Sequence, residues 1–214
     1  MRRPGLSPER RGEPRRALFL RKAVQHLRKR LLAAMLVPLL VLGAEPVARA
    51  QETAPGEYEL KAAFLFNFVK FVNWPDGTFA NTQSSFIICV LGKDPFGHVL
   101  DEALQDKKID NRNVVLQRVK DSSEARHCHA VFVSASESAH LSEILEGLRG
   151  AKVLLVGDMA GFAASGGMIE FILEENHVRF AINVDAADRA GLKISAKLLA
   201  LAKIVHDASH SKGM

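Results

Sequence analysis

Three observations predict an α/β fold: a three-layer body in which a mostly parallel sheet is flanked by helices and carries an antiparallel hairpin at one edge. Short β-rich apolar runs alternate with helical segments along residues 86–157, the pattern of parallel strands joined by crossover helices. Phe86–Leu91 is apolar at every position, as a strand covered on both faces must be. Met168–Glu174 and His177–Val184 are then separated only by Glu175-Asn176, a gap of hairpin length.

The N-terminal segment stands apart. Arg28, Lys29 and Arg30 precede Leu31–Ala44, an apolar run broken only by Pro38 and Gly43. Ala48-Arg49-Ala50 follows, then the polar Gln51-Glu52. Charged, apolar, small-x-small is the order of a secretory signal, and the run is shorter than the roughly 20 residues a membrane span takes. The expectation is a leader over 1–50, cleaved near Ala50-Gln51, and one domain over 51–206 beyond the cytoplasmic membrane. Arg15-Arg16-Ala17-Leu18-Phe19-Leu20 resembles a twin-arginine signal only loosely.

Charge follows the same division. The whole chain carries +5, but residues 1–50 hold 12 of the 29 Lys+Arg and three of the 24 acids. The remainder keeps 17 bases against 21 acids. A mildly acidic domain lacks the electrostatic footprint of a nucleic-acid binder, so no nucleic acid is expected as a partner.

Within the domain, Gln51–Gly56 is a polar lead-in. Tyr58–Val72 reads as a helix, with Ala62, Phe64, Leu65, Phe68, Val69 and Val72 at helical spacing. Phe66 and Phe71 widen its apolar face, which fits either a core helix covered on several sides or, with Trp74, part of a partner-binding patch. Asn73-Trp74-Pro75-Asp76-Gly77 ends it. Phe86–Leu91 is a strand, Pro95–Leu104 a helix, Val114–Val119 a strand, Ser122–Arg126 a short helix. Ala130–Ser134 is a strand, Ser138–Leu148 a helix and Lys152–Val156 a strand closed by Gly157-Asp158. After the hairpin, Asp185–Arg189 is a helical turn stopped by Gly191. Ser195 is placed to cap a last helix, Ala196–His206, with Leu198, Leu199, Leu201, Ala202 and Val205 inward. Asp207–Met214 reads as a frayed polar tail.

Few residues suggest chemistry. Cys89 and Cys128 are the only cysteines. In an oxidising compartment a single pair forms one disulfide, provided the strands near 89 and 130 are neighbours; two buried thiols are the other reading. His127-Cys128-His129 offers two imidazoles on one face of an extended chain, short of the three or four ligands a zinc site takes, so no metal and no cofactor is expected. There is no Gly-x-Ser-x-Gly elbow and no Gly-x-Gly-x-x-Gly loop, so no catalytic residue is assigned. Glu170, Glu174 and Glu175 read as cross-strand partners for Arg179 on an exposed face.

Five blocks in register then carry a resemblance. Glu59–Pro75 (ELKAAFLFNFVKFVNWP), Phe86–Gly97, His129–Glu137, Gly157–Phe171 and Arg179–Asn183 with Ser195–Leu199 together resemble the YfiR family of periplasmic proteins. The resemblance implies a compact α/β domain, often dimeric, that regulates and is not an enzyme. Relatives repress a membrane-bound diguanylate cyclase by binding its periplasmic sensor part, and an outer-membrane lipoprotein relieves the repression. It implies that Cys89 and Cys128 form one family disulfide; a second pair found in some relatives has no counterpart, since 158–183 contains no cysteine. Carried over position by position, Lys61, Asn67, Trp74, Arg179 and Asn183 are the signature residues expected to face a partner or ligand. The alternative function is a periplasmic small-ligand binding or sensing module for another membrane signalling or transport system, its ligand at the carboxyl ends of the parallel strands. A secreted hydrolase has only the fold in its favour.

Overall fold

The computed structural model describes residues 56–207; the expected leader and the tail beyond Asp207 lie outside them. Helix α1 (Glu57–Lys70) opens with Glu57 and Glu59 in its first turn and ends on Lys70, each charge complementing the helix dipole. Strand β1 (Val72–Asn73) follows at once. Then come β2 (Phe86–Leu91), α2 (His98–Leu104), β3 (Lys108–Ile109), β4 (Arg112–Val119), α3 (Ser122–Ala125) and β5 (Ala130–Val133). A 3-10 turn (Ala135–His140) leads into α4 (Leu141–Gly147) and β6 (Leu154–Gly157). The chain finishes with β7 (Ile169–Glu174), β8 (His177–Asn183), α5 (Val184–Arg189), β9 (Lys193–Ile194), α6 (Ala196–Leu199) and β10 (Lys203–Val205).

Eight strands form one sheet in the order β10-β8-β7-β6-β5-β2-β4-β3. Neighbours from β7 to β4 run parallel, as the strand–helix alternation predicts. The β7–β8 hairpin is antiparallel, with Phe171 opposite Phe180 and Glu175-Asn176 at positive φ in its turn. All positions of β5 and β6 are buried, because helices cover both faces. Phe68 of α1 packs on Phe171 and Phe180, and Phe96 on Phe132. Phe132 pairs in register with Val90, so Val131 and Cys89, one residue earlier, face the opposite layer of α3 and α4. Close approach needs glycine where the chain passes Phe162: a Cβ would stand 2.2 Å from that fully buried ring at Gly167 and 2.9 Å from it at Gly157.

Two helices and two short strand pairings depart from expectation. The last helix stops at Leu199, and Lys203-Ile204-Val205 pairs parallel with Ala181-Ile182-Asn183. The unpaired edge of β8 thus outweighs the helical spacing of this stretch, and Leu201, expected inward, is 75% exposed. The hairpin is therefore flanked by one further strand. The expected helix over 138–148 begins as the 3-10 turn, capped by the Ser134 side chain. Two short pairings had no periodicity to announce them: β1 with β9, and β3 with β4.

Candidate functional site

The connection from β2 leads to β4 on one side of the sheet, and that from β5 leads to β6 on the other. A crevice is expected where such connections diverge, at the carboxyl ends of β2 and β5. Here the place is occupied. After β2 the chain turns through Gly92, at φ 90°, and the Lys93 N–H donates to Ser136 Oγ at 3.0 Å. Ser136 Oγ in turn donates to Glu137 Oε1 at 2.9 Å.

Beside it, the first turns of α1 reach over to the end of β6. The Tyr58 ring lies edge-on to Phe96, and its hydroxyl donates to Asp158 Oδ2 at 3.0 Å. Lys61 is 5% exposed. Its ammonium sits 2.6 Å from Glu57 Oε1, 3.0 Å from Asp158 Oδ2 and 4.4 Å from the centre of the Tyr58 ring. Two carboxylates thus share one cation out of water. Asp158 Oδ1 is buried without a hydrogen-bond partner among the described residues. Burial, then the Asp158 charge, pushes the Tyr58 hydroxyl well above its ordinary pKa, so the phenol stays a donor. The cluster fastens α1 to the sheet.

A second constellation lies near the start of β2. His129 is stacked on Phe79 at 4.7 Å and packed by Phe86 and Trp74. The Arg112 guanidinium lies over the Phe79 ring, 4.0 Å from its centre. The Ile87 N–H donates to His129 Nδ1 at 2.9 Å, which keeps a lone pair there. Burial, then the Arg112 charge, holds the imidazole below its ordinary pKa. Trp74 Nε1 is buried with no partner among the described residues.

The cysteines form one disulfide, Cys89 to Cys128, with Cα atoms 6.1 Å apart. The parallel registers do not align them. The turn after α3 delivers Cys128 to the face on which Cys89 points, three residues ahead of its register partner Val131. The closed loop spans 39 positions, a constraint of about 4 kcal/mol on the chain-entropy account. His127 is exposed and His129 is held inside the aromatic stack, so the two imidazoles do not converge.

The five signature residues are not brought to one place. Lys61 belongs to the internal ion cluster. Asn183 is fully buried: its amide donates to Ala163 O at 2.8 Å and Asp207 Oδ1 at 2.9 Å, and its oxygen caps α5 by accepting from the Ala186 N–H. Trp74 is half-buried against Phe86. Asn67 and Arg179 are exposed. Arg179 stands opposite Ile172 in the hairpin, and Glu170, expected as a cross-strand partner, instead accepts from the N–H groups of Gly161 and Ala163. Glu57 and Asp158 escaped the sequence reading. The Glu57–Lys61 spacing of four was a usable signal; Asp158, 97 positions away from Lys61, gave none.

The fold and these clusters define a class: an α/β module with one internal disulfide, whose switch-point crevice is filled by its own side chains. The chain belongs to the YfiR/HmsC-like family, whose profile matches residues 58–203. No curated protein matches the chain. Among solved structures, a conserved domain protein of Vibrio cholerae O1 biovar El Tor is 12% identical with a TM-score of 0.49, over 69% of this chain and 60% of that one. The ABC domain in complex with L-Trp from Streptococcus pneumonia is 11% identical with a TM-score of 0.46, over 67% of this chain and 60% of that one. The chain thus spans 60% of the length of each.

Proposed function

We propose that this protein is a periplasmic regulator that binds the periplasmic sensor part of a membrane-bound diguanylate cyclase and lowers cyclic-di-GMP synthesis. One observation carries the reading: the YfiR/HmsC-like profile extends over 58–203, nearly the whole described domain. On this reading residues 1–50 are the leader that takes the domain across the membrane, and the protein acts by docking and not as an enzyme. It would hold the sensor in one of its states. Moving a population from mostly active to mostly inactive takes about 5 kcal/mol of differential affinity, which one interface supplies. Asn67 and Arg179, both exposed, are then available to a partner; Trp74 contributes by packing the segment after α1. An outer-membrane lipoprotein and a second copy of the chain are further partners on this reading.

Deleting the gene and measuring cyclic-di-GMP tests it. The level rises in the deletion strain and returns when the gene is restored; an unchanged level overturns the proposal. A second reading, a small-ligand sensing module, has one feature in its favour. A groove of about 780 Å³ lies between α4 and α5, floored by Leu145, Leu148, Leu155 and Met168, with Arg149 and Arg189 at its rim. It lies on the layer away from α1, not in the filled crevice where the sequence pattern places a ligand.

A further inference from the structure

The stretch 189–206 contains Arg189, Lys193, Lys197, Lys203 and His206 and no acid, within a region whose formal balance is acidic. Three of these groups have partners: Arg189 with Asp207, Lys193 with Asp188 and His206 with Asp185. Lys197 and Lys203 are exposed and make no ion pair among the described residues. Near them Leu201 is 75% and Ile204 42% exposed. Lys203 and Ile204 lie on β10, the outermost strand of its side of the sheet, which among the described residues is hydrogen-bonded to β8 alone.

Natural edge strands are kept short and guarded by lysine. Lys203 suits that role, but guarding does not account for two aliphatic side chains held in water beside it. An open backbone edge, an apolar pair and uncompensated positive charge are what strand addition uses: main-chain bonds supply affinity and alternate side chains supply specificity. A second copy related by a two-fold axis would bring this basic edge against itself, and like charges facing across a strand pair repel.

We infer that the β10 edge is the docking site for an extended acidic segment of a protein partner. The segment adds a strand alongside Lys203–Val205, lays apolar side chains on Leu201 and Ile204 and pairs carboxylates with Lys197 and Lys203. This rests on the docking function proposed above and names its surface.

The test uses the deletion strain and the purified periplasmic domain of its cyclase. Wild type, K197E/K203E and, at the opposite edge of the sheet, K108E are each supplied and purified; circular dichroism and Trp74 fluorescence check folding. K197E/K203E binds the cyclase domain at least about tenfold more weakly than wild type, with like-charge repulsion replacing attraction, and fails to restore low cyclic-di-GMP. K108E behaves as wild type. Equal binding by wild type and a folded K197E/K203E overturns the edge assignment and leaves the docking function standing. Should K197E/K203E misfold, K197Q/K203Q replaces it, with the same reading of its result. Failure of wild type itself to bind or to lower cyclic-di-GMP overturns both. Phosphatidylglycerol vesicles are the second probe: charge-dependent vesicle binding with unchanged cyclase binding assigns the edge to a membrane surface and overturns the proposal. A change in oligomeric state alone, with cyclase binding intact, assigns it to a second copy and does the same.

Discussion

Lys61 shows how one side chain converts a surface-type residue into a fastener. Its ammonium is enclosed with Glu57 and Asp158, whose side chains are 10% and 5% exposed. Removing one member of a buried ion group leaves the others charged and unpaired, which costs about 3–5 kcal/mol. Lys61→Met is therefore expected to lower unfolding free energy by about 3 kcal/mol in urea titration, the low end of that range because the groups are not fully sealed. Adding Asp158→Asn should recover part of the loss, since one of the two orphaned charges goes with it. A loss for Lys61→Met under about 0.5 kcal/mol, the scale of an exposed pair, would falsify the fastening role. The residue is legible in the sequence as a polar position on an apolar helix, and the family signature makes it a candidate to face a partner. Its inward path was not legible, because the partner that draws it in, Asp158, lies on a distant strand end.

At the scale of elements, the strands and helices that alternate by period were readable, from Phe86–Leu91 through the β7–β8 hairpin. Those made by an edge seeking a partner were not: β1, β3, β9 and β10 are two or three residues long, too short for a pattern. The aromatic stack that joins the loop after β1 to β2 is a similar case, and it predicts a pH dependence. His129 has its folded pKa depressed, chiefly by burial, against an unfolded value of about 6.5. The unfolded chain therefore takes up a proton, as pH falls past about 6.5, that the folded chain resists. His129 contributes its full stability above that pH and loses it progressively as pH falls toward the folded pKa. Asp101, Asp121 and Asp207 also have depressed pKa values, but theirs start near the carboxylate range of about 4 and act at lower pH. Chemical denaturation of the domain between pH 7.5 and 5, followed by the sole tryptophan, should show stability falling in the histidine window. In His129→Asn that slope should flatten, and an unchanged slope assigns the effect to another histidine.

The domain is closed by its last described residues. Val72, at the exit of α1, pairs with Ile194, and Ser195 donates its N–H to Phe71 O, so the C-terminal stretch holds the first helix in place. Beyond it, β10 covers the edge of β8, and Asp207 accepts from the Asn183 amide and pairs with Arg189. Asp207 is thus an anchor, although polarity alone made it the first residue of a frayed tail. Two truncations separate the anchor from the tail. A chain ending at Asp207 should melt with the full-length domain. A chain ending at Ala202 loses β10 and Asp207 together, which uncovers the edge of β8, leaves one amide hydrogen of the fully buried Asn183 unsatisfied and strands Arg189. The unsatisfied buried donor alone costs about 1–3 kcal/mol, and an uncovered edge invites association. The shorter chain should therefore unfold at lower urea by about 2 kcal/mol or more and elute from a sizing column as larger species. If it matches the longer chain in both measurements, the domain closes without its final strand, and β8 tolerates a bare edge.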